Sequence, residues 1–372
     1  SNRLFINQAG KGFEDQAKEQ GLAFKGASLM MAFSDYDRDG DLDGYLLTNR
    51  IPPGEELKDV RFRLVKGPDG EPVILPEEMQ QYAGLIKSPS GYKQIASGQF
   101  DRLYRNDGGK FVEVGKEAGV RESEYGLSAT WWDYDADGWP DLYVANDFYG
   151  ADHLYRNKGD GTFEDVAPRA LPHTPWFSMG SDVADINNDG LFDYMASDMA
   201  GSDHYKEKMS MGNMTGKDSD SWFLNWPIPA QYMRNAVYLN TGTGRFNEIA
   251  FQTGLAATDW TWAIKFGDLD CDGREDVFIS TGMSRDWFNS DLRNQEEALI
   301  LGKGSAAGRA FWNDKEPLAL KNWAFRARDS VQEAGSVLPS EPPTAPRIAS
   351  SSLSRTTTRC SLTRSTQRPQ RP

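Results

Sequence analysis

Asp133-Tyr134-Asp135-Ala136-Asp137-Gly138-Trp139-Pro140-Asp141 has three counterparts elsewhere in the chain. They are Asp35-Tyr36-Asp37-Arg38-Asp39-Gly40-Asp41-Leu42-Asp43, Asp185-Ile186-Asn187-Asn188-Asp189-Gly190-Leu191-Phe192-Asp193 and Asp268-Leu269-Asp270-Cys271-Asp272-Gly273-Arg274-Glu275-Asp276. All fit D-x-[DN]-x-D-G-x-x-D without a gap. Positions 1, 3 and 5 of such a stretch put three side-chain oxygens on one side of a tightly coiled turn. Glycine at position 6 allows the bend that brings the carbonyl of position 7 inward, and the carboxylate at position 9 closes the shell. A hard cation takes roughly six to eight oxygens in flexible geometry. Calcium suits the set better than magnesium, which resists losing its water.

The expected ligands of the first loop are Asp35, Asp37, Asp39, the Asp41 carbonyl and Asp43. Those of the second are Asp133, Asp135, Asp137, the Trp139 carbonyl and Asp141. The third offers Asp185, Asn187, Asp189, the Leu191 carbonyl and Asp193, and the fourth Asp268, Asp270, Asp272, the Arg274 carbonyl and Asp276. About four Ca2+ ions are therefore expected, the third site being weakest because Asn187 replaces a carboxylate. One such stretch alone is as often an Asx-rich turn. Four in register between matching flanks favour the metal. An EF-hand would need a bidentate glutamate at position 12, where this chain has Leu46, Val144, Ala196 and Ile279, and the following segments are β-like.

Each loop follows an apolar stretch: Ser28 to Phe33, Leu127 to Trp132, Met179 to Ala184 and Trp260 to Phe266. A β-like run comes after it, such as Tyr45-Leu46-Leu47-Thr48 or Val277-Phe278-Ile279-Ser280. A third element then recurs as Arg3-Leu4-Phe5-Ile6-Asn7, Arg102-Leu103-Tyr104-Arg105-Asn106, His153-Leu154-Tyr155-Arg156-Asn157 and Ala236-Val237-Tyr238-Leu239-Asn240. A glycine-rich hairpin turn leads to a fourth short strand headed by Phe13, Phe111, Phe163 or Phe246. Four short strands per unit at a period of about fifty residues is the signature of β-propeller blades. The fold class is therefore all-β, with about four blades preceded by half of another. The loose match Lys321-Asn322-Trp323-Ala324-Phe325-Arg326 supplies the last third strand. Because an open propeller leaves sheet edges unpaired, the array is expected to be part of a larger ring, or to close through its half-blade. The opening at Ser1 inside a repeat suits a fragment better than removal of a leader peptide.

Residues 1–327 are assigned to the propeller, with insertions at 51–100 and 200–234. In the first, Gly67-Pro68-Asp69-Gly70 reads as a turn and Pro76 to Ile86 as a short helix. The second, rich in Met, Trp and Asn, is expected to cap a face or form a binding lid. The 328–372 tail changes character, with Pro342-Pro343, Ser350-Ser351-Ser352 and Thr356-Thr357-Thr358. It reads either as a disordered linker or as a shifted reading frame, since a further blade is due there.

The 372 residues include 55 acidic and 41 basic side chains, a formal charge of -14. Without clustered Lys and Arg no nucleic-acid surface is expected, whereas clustered acids suit cations. No run of roughly 18 apolar residues exists to span a bilayer. Cys271 and Cys360 are not expected to pair. Asn213-Met214-Thr215 matches a glycosylation sequon, which matters only in a eukaryotic secretory host.

The loops, the L-Y-R-N strand and the Gly-Asp-Gly-Thr-Phe turn together resemble FG-GAP/VCBS repeats, the calcium-bearing propeller repeats of integrin α-chains. Met233-Arg234-Asn235-Ala236, Gly254-Leu255-Ala256-Ala257-Thr258-Asp259-Trp260-Thr261-Trp262 and Gly282-Met283-Ser284-Arg285-Asp286 are similar to the bacterial branch related to cartilage acidic protein, whose propeller precedes an ASPIC/UnbV domain. The resemblance covers residues 1 to about 327. It implies a secreted, periplasmic or cell-surface protein, incomplete against a seven-bladed ring, that binds an extracellular protein or glycan. The weak calcium affinity of extracellular modules, about 10⁻⁴ to 10⁻³ M, agrees with export.

A non-enzymatic adhesion or recognition scaffold is the expected function, and a carbohydrate-binding or carbohydrate-active propeller, lyase or hydrolase, the alternative. Against catalysis stand only three histidines, His153, His173 and His204, and the absence of G-x-S-x-G, H-E-x-x-H and P-loop motifs. His153 reads as a strand-edge residue, and His204 is the histidine worth testing. Exposed aromatics able to stack on sugars are sought among Trp176, Trp222, Trp226, Trp260, Trp262 and Trp287. Trp260 and Trp262 are expected to pack within a blade, and Trp222 and Trp226 are open to either role.

Overall fold

The computed structural model describes residues 1–49, 63–67, 70–88, 91–148, 150–209, 229–287, 289–313, 315 and 322–327. The half-blade is a hairpin of β1 (Phe5–Asn7) and β2 (Phe13–Asp15). Blade 1 begins with β3 (Ser28–Ser34) and β4 (Asp43–Thr48). The chain then makes two hairpins, β5 (Arg63–Lys66) with β6 (Pro72–Leu75) and β7 (Ala83–Ser88) with β8 (Gly91–Ala96). It returns as β9 (Arg102–Asn106) and β10 (Phe111–Glu113), which complete the antiparallel sheet β3-β4-β9-β10. Blade 2 is β11 (Gly126–Trp132), β12 (Asp141–Asn146), β13 (His153–Asn157) and β14 (Phe163–Asp165), in that order.

After β15 (His173–Pro175), blade 3 is formed by β16 (Ser181–Ala184), β17 (Asp193–Ala196), β19 (Ala236–Asn240) and β20 (Phe246–Glu248). Between β17 and β19, β18 (Ala230–Tyr232) pairs in parallel with β15. Blade 4 contributes β21 (Thr261–Gly267), β22 (Asp276–Thr281) and β23 (Trp323–Phe325). The protein is all-β, an open β-propeller of four-stranded blades, and no ring closes among the described residues.

Blade faces bury against one another. Between blades 1 and 2 lie Tyr36, Tyr45, Leu47, Leu103, Leu142, Val144 and Tyr155. Between blades 2 and 3 are Trp132, Tyr143, Leu154, Tyr194 and Tyr238, with the Trp132 and Tyr194 rings stacked at 4.9 Å. Met195, Val237, Ile264 and Ile279 fill the next seam. Each large side chain shut away here adds about 1.5–3 kcal/mol. The first strands of successive blades lie side by side, β3 by β11, β11 by β16 and β16 by β21. Ser181 Oγ bonds both Ser128 Oγ and Thr130 Oγ across one of these junctions, each at 2.8 Å.

Alternating strand direction sorts the connections. The Asp-rich loops open at one end of the blades, together with the glycine turns of blades 1 to 3, and the chain passes from second strand to third at the other end. Between residues 76 and 86 the expected helix shrinks to a 3-10 turn at Glu77–Gln81, because Ala83 onward pairs as β7 with β8. Gly67 and Gly70 bracket the expected hairpin turn, Gly70 N–H donating to the Gly67 carbonyl. A third excursion, absent from the sequence expectation, holds the helices Ser290–Lys303 and Ser305–Asn313. Asn289 caps the first through its side chain and Gly304 ends it, a pairing of N-cap and C-terminal glycine visible in the sequence. The tail, Trp222, Trp226, Asn213 and Cys360 lie outside the described residues. Cys271 is exposed and forms no disulfide among the described residues. Among the described residues no helix is long and apolar enough to cross a membrane.

Candidate metal centre

Every Asp-rich loop joins the first strand of a blade to the second, with position 9 as the first residue of that second strand: Asp43, Asp141, Asp193 and Asp276. The loops share one backbone shape. Position 4 is left-handed in each, with φ of 61° at Arg38, 58° at Ala136, 57° at Asn188 and 61° at Cys271. Position 6 is left-handed too, with φ from 86° at Gly273 to 98° at Gly40. Two left-handed residues around position 5 coil the chain so that positions 1, 3 and 5 face a common centre.

Hydrogen bonds lock that coil. Position 1 accepts from the N–H of the position 6 glycine, as in Gly138 N to Asp133 Oδ2 at 2.8 Å and Gly273 N to Asp268 Oδ2 at 2.9 Å. Position 5 accepts from position 7, as in Trp139 N to Asp137 Oδ1 at 3.0 Å. In the first loop Asp35, Asp37 and Asp39 bring carboxylate oxygens within 4.8 Å of one another, as do Asp268, Asp270 and Asp272 in the fourth. In the second the converging set is Asp133, Asp135 and Asp141. The third gathers Asp185, Asn187 and Asp189, where Asn187 Nδ2 donates to Asp189 Oδ2 at 2.9 Å.

Two observations bear on whether the residues fit a cation. Asp35 Oδ1 and Asp41 Oδ1 are shut off from solvent and have no hydrogen-bond donor. An oxygen in that state carries the full desolvation cost unless a positive charge meets it. Asp37 titrates above the usual carboxylate range, first through burial and then through the neighbouring Asp39 charge. An ion of opposite sign at the centre would remove both penalties. The donor set is all oxygen, as a hard cation requires.

Position 9 has a second task. Both of its oxygens accept backbone N–H groups: Asp141 from Tyr134 at 3.0 Å and Asn157 at 2.8 Å, Asp193 from Ile186 at 3.0 Å and Asn240 at 2.8 Å. Asp43 and Asp276 repeat the pattern. Burial pushes Asp43 and Asp193 up to about 6 and Asp141 up to about 8. This aspartate ties the loop to the third strand whether or not it also reaches a metal.

Around the loops stand residues that sequence reasoning passed over. Asn157, last in its third strand, donates through Nδ2 to the Pro140 carbonyl of its own loop at 3.0 Å and the Tyr36 carbonyl of the preceding blade's loop at 2.8 Å. Asn240 does the same to Phe192 and to Tyr134. Asp101, Asp152, Asn235 and Asn322, each one residue before a third strand, accept the N–H of Thr48, Asn146, Asp198 and Thr281 respectively. Their fixed offsets in the repeat were the available signal.

Two of the three histidines sit in polar contacts within the blades. His153 lies between Glu124 and Asp165, at 3.0 and 2.9 Å, and the buried His173 meets Glu248 at 3.2 Å. His204 is exposed, near Glu207. Trp176 is buried, Trp287 packs on Trp312, and Trp260 is part of the apolar cluster with Trp176 and Met199. Trp262 is 50% exposed, contrary to the packing expected of it, because its position in β21 points out of the blade.

No curated protein matches the chain. Among solved structures it is similar to a lectin of Agrocybe aegerita that recognises non-reducing terminal N-acetylglucosamine, with 15% identity and a TM-score of 0.33 over 74% of this chain. It is also similar to the Photorhabdus luminescens Tc holotoxin pore, with 15% identity and a TM-score of 0.24 over 75% of this chain. The matches span 56% and 12% of those two chains. Residues 133–196 and 228–279, which hold blade 2 from its Asp-rich loop onward, the four strands of blade 3, β21 and part of β22, match the FG-GAP-like repeat, and the chain is a carrier of such repeats.

Proposed function

We propose that the protein is a non-enzymatic, calcium-loaded propeller scaffold that works outside the cytosol and recognises an extracellular protein or glycan. The observation that carries the calcium reading is the convergence of three carboxylates in the first and fourth loops, with Asp35 Oδ1 buried and undonated in the first. Asp35, Asp37 and Asp39, with their counterparts in the other loops and the carbonyls of Asp41, Trp139, Leu191 and Arg274, would hold the ions. Bound calcium would neutralise the crowded carboxylates and fix the loop, and so the junction of the first and second strands.

The same reading places recognition at the opposite end of the blades, where Trp262 and Tyr232 stand half exposed. Weak extracellular-type affinity, about 10⁻⁴ to 10⁻³ M, goes with this location. Kinship with the ASPIC/UnbV-associated branch belongs to the same proposal. Calorimetric calcium titration beside thermal melting tests it. Up to four sites and a melting point raised by calcium and lowered by chelator are expected, since a ligand of the native state stabilises by mass action. A melting curve indifferent to both would refute it.

A further inference from the structure

We propose that Arg156 is a built-in counter-cation of the second loop, so that calcium must compete there with a guanidinium that the other loops do not present in the same way. This rests on the calcium reading above and adds to it a residue that sets the affinity of one site.

Arg156 comes from β13, the third strand, and its fork grips two expected ligands at once. Nε donates to Asp135 Oδ2 at 2.6 Å and Nη2 to Asp137 Oδ2 at 2.9 Å. The other oxygens of these carboxylates accept loop N–H groups, Asp135 Oδ1 from Asp137 and Asp137 Oδ1 from Trp139. Positions 3 and 5 are thus engaged on both sides. The consequence shows in the convergent set, which in this loop takes in Asp141, whereas the first and fourth loops use their position 5 residues, Asp39 and Asp272.

The equivalent residue differs in every other blade. Arg105 stays near Asp37 of the first loop but gives its guanidinium hydrogen bonds to Asp107, at 2.7 and 3.1 Å. Leu239 occupies the place in blade 3 and brings no charge. Arg326 lies against Asp270 alone, and Asp272 stays in the fourth loop's convergent set. Among the described residues only Arg156 spans both ligands, with the bidentate planarity that suits Arg to paired carboxylates and that Lys lacks. A cation held a few ångströms from the metal position weakens a divalent ion's attraction, and a grip on Asp137 must be released before that side chain can ligate.

Arg156→Leu copies the residue that blade 3 already tolerates, and Arg156→Lys keeps the charge without the fork. Calcium titration of the full chain is read beside terbium luminescence sensitised by Trp139, whose indole stands at position 7 of the second loop. Arg156→Leu is expected to tighten one class of site about tenfold or more, with Arg156→Lys between it and the wild type. In chelator the melting point of Arg156→Leu is expected to fall, and its rise on adding calcium to exceed that of the wild type. If the wild type binds calcium and Arg156→Leu changes no site by more than about twofold, or weakens one, the counter-cation role is overturned and the calcium reading stands. If wild type and both variants bind none, the calcium reading itself fails and takes this inference with it.

Discussion

Asn157→Ala removes the side chain that joins three pieces of backbone. Its Nδ2 serves the Tyr36 and Pro140 carbonyls, at 2.8 and 3.0 Å, and its Oδ1 accepts the Gly159 N–H at 2.9 Å. The residue is 1% exposed, so water cannot easily take its place. Each buried group left unpaired costs about 1–3 kcal/mol, and the three together set a ceiling that local relaxation lowers. A loss of about 3 kcal/mol is expected, large among point substitutions. Asn106→Ala is the control, since Asn106 donates only to Leu42 of its own loop, at 3.1 Å in an exposed setting, and accepts from Gly109. That variant should lose about 1 kcal/mol. Urea unfolding with an unchanged slope reads both as shifts in midpoint. If Asn157→Ala is no more harmful than Asn106→Ala, the bond across the seam contributes nothing and the reasoning is wrong.

Other substitutions probe different parts of the molecule. Asp152→Asn should abolish a pH dependence: burial raises the folded pKa of Asp152 to about 7, so the native state holds a proton that the unfolded chain gives up near 4. Stability should therefore decline as pH rises from about 4 to about 7, by at most about 1.4 kcal/mol per unit, and Asp152→Asn melts should lack that part of the slope. Asn235, which fills the equivalent place in blade 3, shows that the amide is accommodated. Gly180→Ala would set a Cβ 2.6 Å from the Trp262 carbonyl and 2.7 Å from Ala263 Cα, and backbone cannot step aside as a side chain can. A cost of about 2–3 kcal/mol in urea unfolding is expected, and a neutral result would deny the closeness of blades 3 and 4. Ala136→Gly relieves a left-handed residue at φ 58° and should raise the melting point by an amount worth about 0.5–1 kcal/mol, an unchanged or lower value refuting the strain.

The strands were legible because each repeat writes its pattern in residues whose roles are local. Phe13, Phe111, Phe163 and Phe246 each open a fourth strand as expected, and Trp323 to Phe325 pairs with β22 despite its loose match. The carboxylates at positions 1, 3 and 5 of the first and fourth loops came together for the same reason, their geometry being set within nine residues. What escaped depends on partners far away in the chain. Pro76 to Ile86 has helical composition, yet its second half finds β8 and takes a strand. Asn157 and Asn240 look like the ends of strands until the carbonyls of Tyr36 and Tyr134 arrive from more than a hundred residues earlier. Arg156 reads as an exposed strand residue, and only its rotamer across the loop reveals two carboxylates in its grasp.

The asparagine bridge also gives the array a direction. Each third-strand donor reaches back to the loop of the blade before it, Asn157 to Tyr36 and Asn240 to Tyr134, while between the third and fourth loops Asn188 reaches forward, its Nδ2 donating to the Gly273 carbonyl at 3.0 Å. The first and second loops are therefore each read by their successor, like a tooth that meshes with the next wheel. Stiffening the second loop should be felt in its own blade and the following one before the preceding one. Because every such junction involves only neighbours, order is expected to spread along the chain as a relay, blade by blade, as in other stacked repeats.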